Sequence, residues 1–285
     1  SGISGFVGSD LDRADSDAPA DDVLAAAEAN RRFAADLYAA LAAGNDNLVF
    51  SPTSIHLALA MAYAGADGDT AAEMAEVLHL PFDGDRLHAA LNALDALIES
   101  RNLEEPAGPD DLERKVQINT ANALWGQKGF EFLAEFLDTL ATNYGAGMNL
   151  VDYVNAAEQA RQEINSWVAD QTNDKITDLI PEGVLGPMVR LVLTNAVYLD
   201  ATWMVPFDPE ATVGAPFTRL DGSTVTVEMM HEEHHTLYGS GDGWQAIELP
   251  YVGNQLAMLV LVPDSGRFGD VEALVSAGLF DDARA

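Results

Sequence analysis

The chain has 285 residues, is 48% hydrophobic and 8% aromatic, and sets 46 Asp and Glu against 14 Lys and Arg, a formal charge of −32. Such a field repels nucleic acid and anionic membrane surfaces, whose phosphates need Lys or Arg to neutralise them, so neither is expected as a partner. Cysteine is absent, which excludes thiol catalysis, disulfides and Cys-based metal sites.

The charge fits a protein that works in high salt, where surface carboxylates hold water and their repulsion is screened, or an acidic protein from a lysine-poor host; the first is favoured. No apolar run is long enough to span a bilayer, and no basic segment followed by an apolar run marks a signal peptide.

Residues 1–22 are rich in Ser, Gly, Asp and Ala without apolar periodicity and read as a disordered acidic leader; 23–285 then read as one domain. Helical spacing begins at Val23 and runs through Phe33 and Leu41, with Gly44 as C-cap. Asn47–Phe50 reads as a short strand. Ser51-Pro52 opens a second helix, with Ser51 as N-cap and proline at the first helical position.

A third helix is expected from Asp69-Thr70, with Thr70 and Glu73 as a capping box, and a fourth from Asp85 to about Ser100. Glu104–Asp111 reads as an acidic Pro/Gly loop. Val116 to Leu124, including Asn122, alternates as a strand does, and helices follow at about Glu131–Asn143 and Ala156–Gln171. Arg190–Leu199 is nearly continuously apolar, as a strand buried on both faces should be. Thr224–Val227, Trp244–Leu249 and Leu256–Val262 are strands separated by turn residues. Helices first and sheets later, with no regular βαβ alternation, give an α+β class.

His231-Glu232-Glu-His-His235 fits the H-E-x-x-H pattern of zinc proteases, with His231 and His235 as ligands and Glu232 as base. That chemistry needs both histidines one turn apart on a helix, whereas Thr224–Glu228 alternates like a strand and Gly239, Gly241 and Gly243 follow. A polar hairpin is the better reading, with the metalloprotease a remote alternative. No nucleophile elbow, P-loop or dinucleotide fingerprint occurs, so no catalytic residue, metal or cofactor is expected.

Several phrases, in order, resemble one family from about Asn47 to Gly278. They are Asn47-Leu-Val-Phe-Ser-Pro-Thr-Ser-Ile55, Gly65–Met74, Asn122-Ala-Leu-Trp with Phe130–Phe136, and Ile164-Asn-Ser-Trp-Val168 with Thr172 and Lys175-Ile176. Arg190–Tyr198 with Trp203-x-x-Pro-Phe207, Met229-Met230, and Leu249-Pro-Tyr-x-Gly-Asn254 leading to Leu261-Val-Pro-Asp264 continue the series. The sequence is similar to the serpins.

The resemblance implies helices packed on a large mixed or antiparallel sheet with further sheets. It implies an inhibitor of serine, or alternatively cysteine, endopeptidases that acts by cleavage of a reactive loop and its insertion as a strand; a non-inhibitory binding or structural serpin is the alternative. It places Ser51, Ser54 and Asn195 in the polar "shutter" that holds the main sheet closed, and Trp203 at the "breach" where insertion begins.

It further implies that the closing strands and the reactive loop, with its unknown bait residue, would lie beyond Ala285, so that the chain alone would be inactive. The expected partner is a protease, met by a protein that is monomeric when complete and extracellular or at the cell surface. Asp200-Ala201 departs from the basic residue and glycine usual there. Around Phe82–Asp111 the acidic residues outnumber Arg86 and Arg101, so no heparin-like polyanion is expected to bind.

Overall fold

A computed structural model of the chain describes residues 5–15, 17–42, 47–106, 113–233, 235–275 and 278–283. Gly44, the expected C-cap, and most of the expected loop at 104–111 lie outside these residues. The chain divides into two compact units: Ser1–Leu37, Val49–Ser100 and Ile118–Leu199 make the first, and Tyr38–Leu48, Arg101–Gln117 and Asp200–Ala285 the second.

Helices dominate the early chain: α1 (Ala20–Leu41), α2 (Pro52–Tyr63), α3 (Gly68–Val77) and α4 (Gly84–Glu99). The second of these is apolar nearly all round, as a helix covered on every side must be, and it buries Ser54, His56, Leu57, Ala58, Ala60 and Met61. Its start is encoded locally: Ser51 caps it by accepting the Ser54 N–H at 3.4 Å, and Pro52 occupies the first turn, where no amide partner is needed. α3 begins earlier than expected. Asp67, not Thr70, is its N-cap and accepts from Gly68 N at 2.8 Å, which removes the capping box.

The main sheet has five strands. β1 (Phe6–Val7), β4 (Met148–Val151), β3 (Arg114–Gln127) and β2 (Leu103–Glu105) follow one another across it, and β5 (Leu191–Ala201) also pairs with β3. β4 is parallel to β3, while β1 and β2 run antiparallel to their neighbours, so the sheet is mixed.

In the first unit, alternation along β3 sends Leu124 to a cluster with Met61, Phe136, Leu137, Leu140 and Met148, built from α2 and α5 (Ala134–Tyr144). The opposite face sends Ala123 and Trp125 to Val151, Tyr153 and Ile164, the last on α6 (Ala157–Gln171). Two helical layers thus enclose the sheet. Gly126 sits where this packing leaves no room, since a Cβ there would collide with Met148 and Phe132.

The second unit is mostly β. β9 (Trp244–Pro250) is central between β8 (Tyr238–Gly241) and β10 (Ala257–Pro263), all antiparallel. Trp244 and Ala246 from this sheet are covered by Val271 of α7 (Phe268–Glu272) and Leu279 of α8 (Leu279–Asp282). β6 (Val213–Thr218) and β7 (Thr224–Met229) form a separate two-stranded ribbon.

Four expectations need correction. Asn47–Phe50 forms no strand; Val49 is 96% exposed, and no described strand pairs with the segment. Glu104 and Glu105, expected in a loop, belong with Leu103 to β2, because this backbone finds the Arg114–Val116 end of β3. β5 is covered only in its middle, at Thr194 and Ala196, while Leu191 and Leu199 are exposed, so its apolar run does not mean burial on both faces. The leader, read from composition as structureless, contains β1, because Phe6 and Val7 find backbone partners on β4.

Candidate functional site

One helix and two strands of the first unit meet at Asn195. Residues 194 and 196 of β5 point towards α6, so period-2 alternation aims 195 the other way, towards α2. There the Asn195 amide donates to the Ser54 carbonyl at 3.1 Å, to the Ser54 hydroxyl oxygen and to the Asn122 Oδ1. Ser54 is 2% exposed, whereas Asn195 and Asn122 are half-buried.

One amide therefore links a buried helix to two neighbouring strands. A polar cluster of this kind is directional. It holds while every partner is in place, and it leaves orphaned groups when one is lost.

Ser51 stands one step removed: it binds Ser54 as the helix cap, and its bond is to the backbone of α2 rather than to Asn195. Asn122 is the residue that the sequence reading missed as part of this cluster. Its signal was there, a carboxamide inside an alternating strand, but its partner is 73 positions away.

On the other face of the same strands, the Trp125 indole N–H donates to Thr194 Oγ1 at 2.9 Å, and its ring meets Trp167 of α6 edge-on at 5.7 Å. Below α6, Asn165 is 6% exposed and clamps the exit loop, donating to Asp178 Oδ1 and Ile180 O at 3.0 Å and accepting from Ile180 N at 2.9 Å. Arg161 adds bonds of 2.9 Å to the same Asp178 and Ile180 oxygens.

Trp203 lies in the second unit. It stacks on Tyr251 with centroids 4.5 Å apart and planes 10° from parallel, flanked by Met204 N donating to Pro250 O at 2.8 Å. The turn after Tyr251 requires glycine: Gly253 has φ +80°, and Leu103 fills the space a side chain would need. Asp200, the departure in charge noted above, accepts from Lys115 Nζ at 3.1 Å, and with Glu113 it raises the Lys115 pKa. The reversed sign is thus balanced locally.

His231, Glu232 and His235 occupy an irregular segment between β7 and β8; His234 lies outside the described residues. A zinc-protease motif needs a helix to bring its two histidines to one face, and the described residues of this segment are not helical. Nor is it a hairpin, since it joins strands of different sheets. Among the described residues no group of three His, Asp or Glu could hold a metal ion.

Helices on both faces of a mixed sheet, with further antiparallel sheets in the later chain, define an α+β protein whose central strands are tied to a buried helix by a polar cluster. The family model for Serpin (serine protease inhibitor) matches residues 28–284, and the chain belongs to that family. It is 41% identical over 250 residues to an uncharacterised serpin-like protein of Thermococcus kodakarensis, covering 88% of this chain and 56% of that protein. It is 39% identical over 240 residues to the leukocyte elastase inhibitor of Bos taurus, covering 83% of this chain and 60% of that one. The chain thus spans less than two thirds of the length of these relatives.

Among solved structures, emu ovalbumin has a TM-score of 0.77 at 26% identity, over 91% of this chain and 69% of that one. An Arabidopsis serpin in its native stressed conformation also scores 0.77 at 26% identity, over 92% and 66% of the two chains.

Proposed function

We propose that this serpin inhibits an endopeptidase of the serine or cysteine class by offering a loop for cleavage and taking the cut loop into its main sheet as a strand. The observation that carries the reading is the cluster of Asn195, Ser54 and Asn122. Sheet opening has to separate strands without dismantling the core. A joint made of a few directional hydrogen bonds yields to a small displacement, whereas interdigitated apolar packing resists it. Family membership and the resemblance to leukocyte elastase inhibitors support the same reading.

In this mechanism no side chain of the chain is catalytic. The work comes from strain released when a strand is added. Ser54, Asn122 and Asn195 would set the threshold for opening, and Trp203 would mark the end of the sheet where insertion starts. The test uses the whole gene product that carries this sequence, incubated with trypsin-like, subtilisin-like and papain-like proteases. An SDS-resistant complex with loss of protease activity is the expected result. Cleavage of the loop without complex formation by all three would favour the non-inhibitory, binding role.

A further inference from the structure

Residues 5–14 precede the stretch that the family model matches, yet the first unit holds them at both ends. At one end, Leu150 N donates to Gly5 O at 2.8 Å, and Phe6 and Val7 pair antiparallel with Asn149 and Met148, so β1 occupies the outer edge of β4. At the other end, Arg13 Nε donates to Asn92 Oδ1 at 2.8 Å. Its guanidinium also pairs with Asp95 at 2.7 Å and with Glu99 at 3.4 Å. Ala14 closes the fastening: its N–H donates to Thr142 O at 2.8 Å, and its carbonyl accepts from Asn92 Nδ2 at 3.0 Å.

Phe6 of one fastening and Arg13 of the other both line a cavity of about 340 Å³, together with Asn122, Asn149 and Trp167. It opens beside Thr120–Ala123, just before β3 takes up β4 at Leu124.

We propose that residues 5–14 are a strap bound in cis at a strand-accepting edge, holding β4 on the sheet and closing the cavity beside Asn122 until the strap is released. Its recognition chemistry is specific. An apolar pair, Phe6-Val7, adds to the edge by backbone pairing, and an arginine at position 13 answers the carboxylates of Asp95 and Glu99. An edge strand alone is a weak and sequence-tolerant site, because main-chain hydrogen bonds do not discriminate. In a chain of charge −32 the arginine supplies the discrimination. Tethering raises the strap's effective concentration to roughly millimolar, so the short pairing can hold in cis. Binding of the strap stands by itself; its influence on how long the sheet stays closed rests on the inhibitor reading.

Hydrogen exchange read by mass spectrometry on the full chain tests this. Arg13→Glu sets a carboxylate against Asp95 and Glu99, Val7→Pro removes a paired strand N–H, and Leu11→Ala at an exposed site is the control. Exchange over Met148–Val151 is expected to rise about tenfold in the first two variants, as loss of charge-assisted hydrogen bonding changes a local opening equilibrium, and to stay unchanged in the third.

A synthetic peptide of residues 5–19 added to the Arg13→Glu chain should restore protection, and the same peptide with Arg13→Glu should not. Unchanged exchange in both strap variants would overturn the proposal, as would equal rescue by the two peptides. Protection lost across α2 and β5 in both variants would also overturn it, because the segment would then be part of the global fold rather than a strap. None of these readings uses a protease, so they stand or fall separately from the inhibitory activity.

Discussion

Both faces of β3 and β5 carry apolar packing, and they differ in the joint added to it. Towards α2, Asn195, Asn122 and Ser54 form a knot of hydrogen bonds around one carboxamide. Towards α6, Trp125, Trp167, Ala121, Ala196 and Val168 pack as an apolar layer, with one indole-to-hydroxyl bond inside it. The apolar face resists in proportion to the area it covers and weakens gradually as strands slide. The polar knot is nearly all-or-none, since each bond is lost within a fraction of an ångström and a bend of the donor angle. On the proposed mechanism, the sheet has to stay closed and then open in one step, and a joint of the second kind suits the side that lets go.

The largest expected effect breaks the apolar face. Trp125→Ala should destabilise the chain by about 3–5 kcal/mol in urea unfolding, since it empties a site with zero exposure and leaves the Thr194 hydroxyl without its donor. A loss comparable to that of a surface substitution would mean that α6 is not an essential cover.

Next comes the polar face. Asn195→Ala should cost on the order of 1–3 kcal/mol, and Asn122→Ala made in the same background should cost much less than it does alone, because the shared hydrogen bond is already gone. Additive effects in this double-mutant cycle would show that the two amides do not act together.

Acid offers a finer probe, because the histidines of the first unit lie only on or beside α2, α3 and α4. His56 and His88 are buried, and burial lowers the pKa of both rings. His56 Nε2 must carry hydrogen, since the Leu78 carbonyl at 2.9 Å only accepts, and His88 Nδ1 pairs with the Tyr144 hydroxyl at 2.7 Å. The unfolded chain takes up protons near pH 6.5, where the folded rings refuse them. Stability is therefore fully present above that pH and falls as pH drops below it, by at most about 1.4 kcal/mol per pH unit for each ring. His88→Gln keeps a hydrogen-bonding side chain but cannot gain the charge, and it should flatten the loss between pH 6.5 and 5. An unchanged slope would show that His88 titrates normally.

The smallest expected effect is a difference that stays near zero. Salt should stabilise the whole chain, because the Debye length shrinks from roughly 30 Å at 0.01 M to roughly 3 Å at 1 M and screens the repulsion of a −32 surface. Among the described residues neither the Asn195 cluster nor the Trp125 layer includes a salt bridge, so the stability gap between Trp125→Ala and Asn195→Ala should move by less than about 0.5 kcal/mol across that range. Melting temperatures that do not rise with salt would remove the argument for a protein adapted to brine.

By itself the sequence determined what depends on neighbours along the chain. The cap and proline of α2 are legible at Ser51-Pro52 because a helix start is satisfied within three residues, and the alternation of β3 is legible because its period is two. The order of such phrases also sufficed to place the chain in its family. The resemblance grouped Ser51, Ser54 and Asn195, but only the tertiary structure decided which atoms meet and that Asn122 joins them. Asn195 lies 141 residues from Ser54 and 73 from Asn122, and nothing local says that they share one amide. The same holds for the strap, whose polar composition predicts disorder until the edge of β4 supplies backbone partners for Phe6 and Val7 and α4 supplies carboxylates for Arg13. The apolar run of β5 was misread for the mirror-image reason: burial belongs to the covering elements, and α2 and α6 reach only its middle.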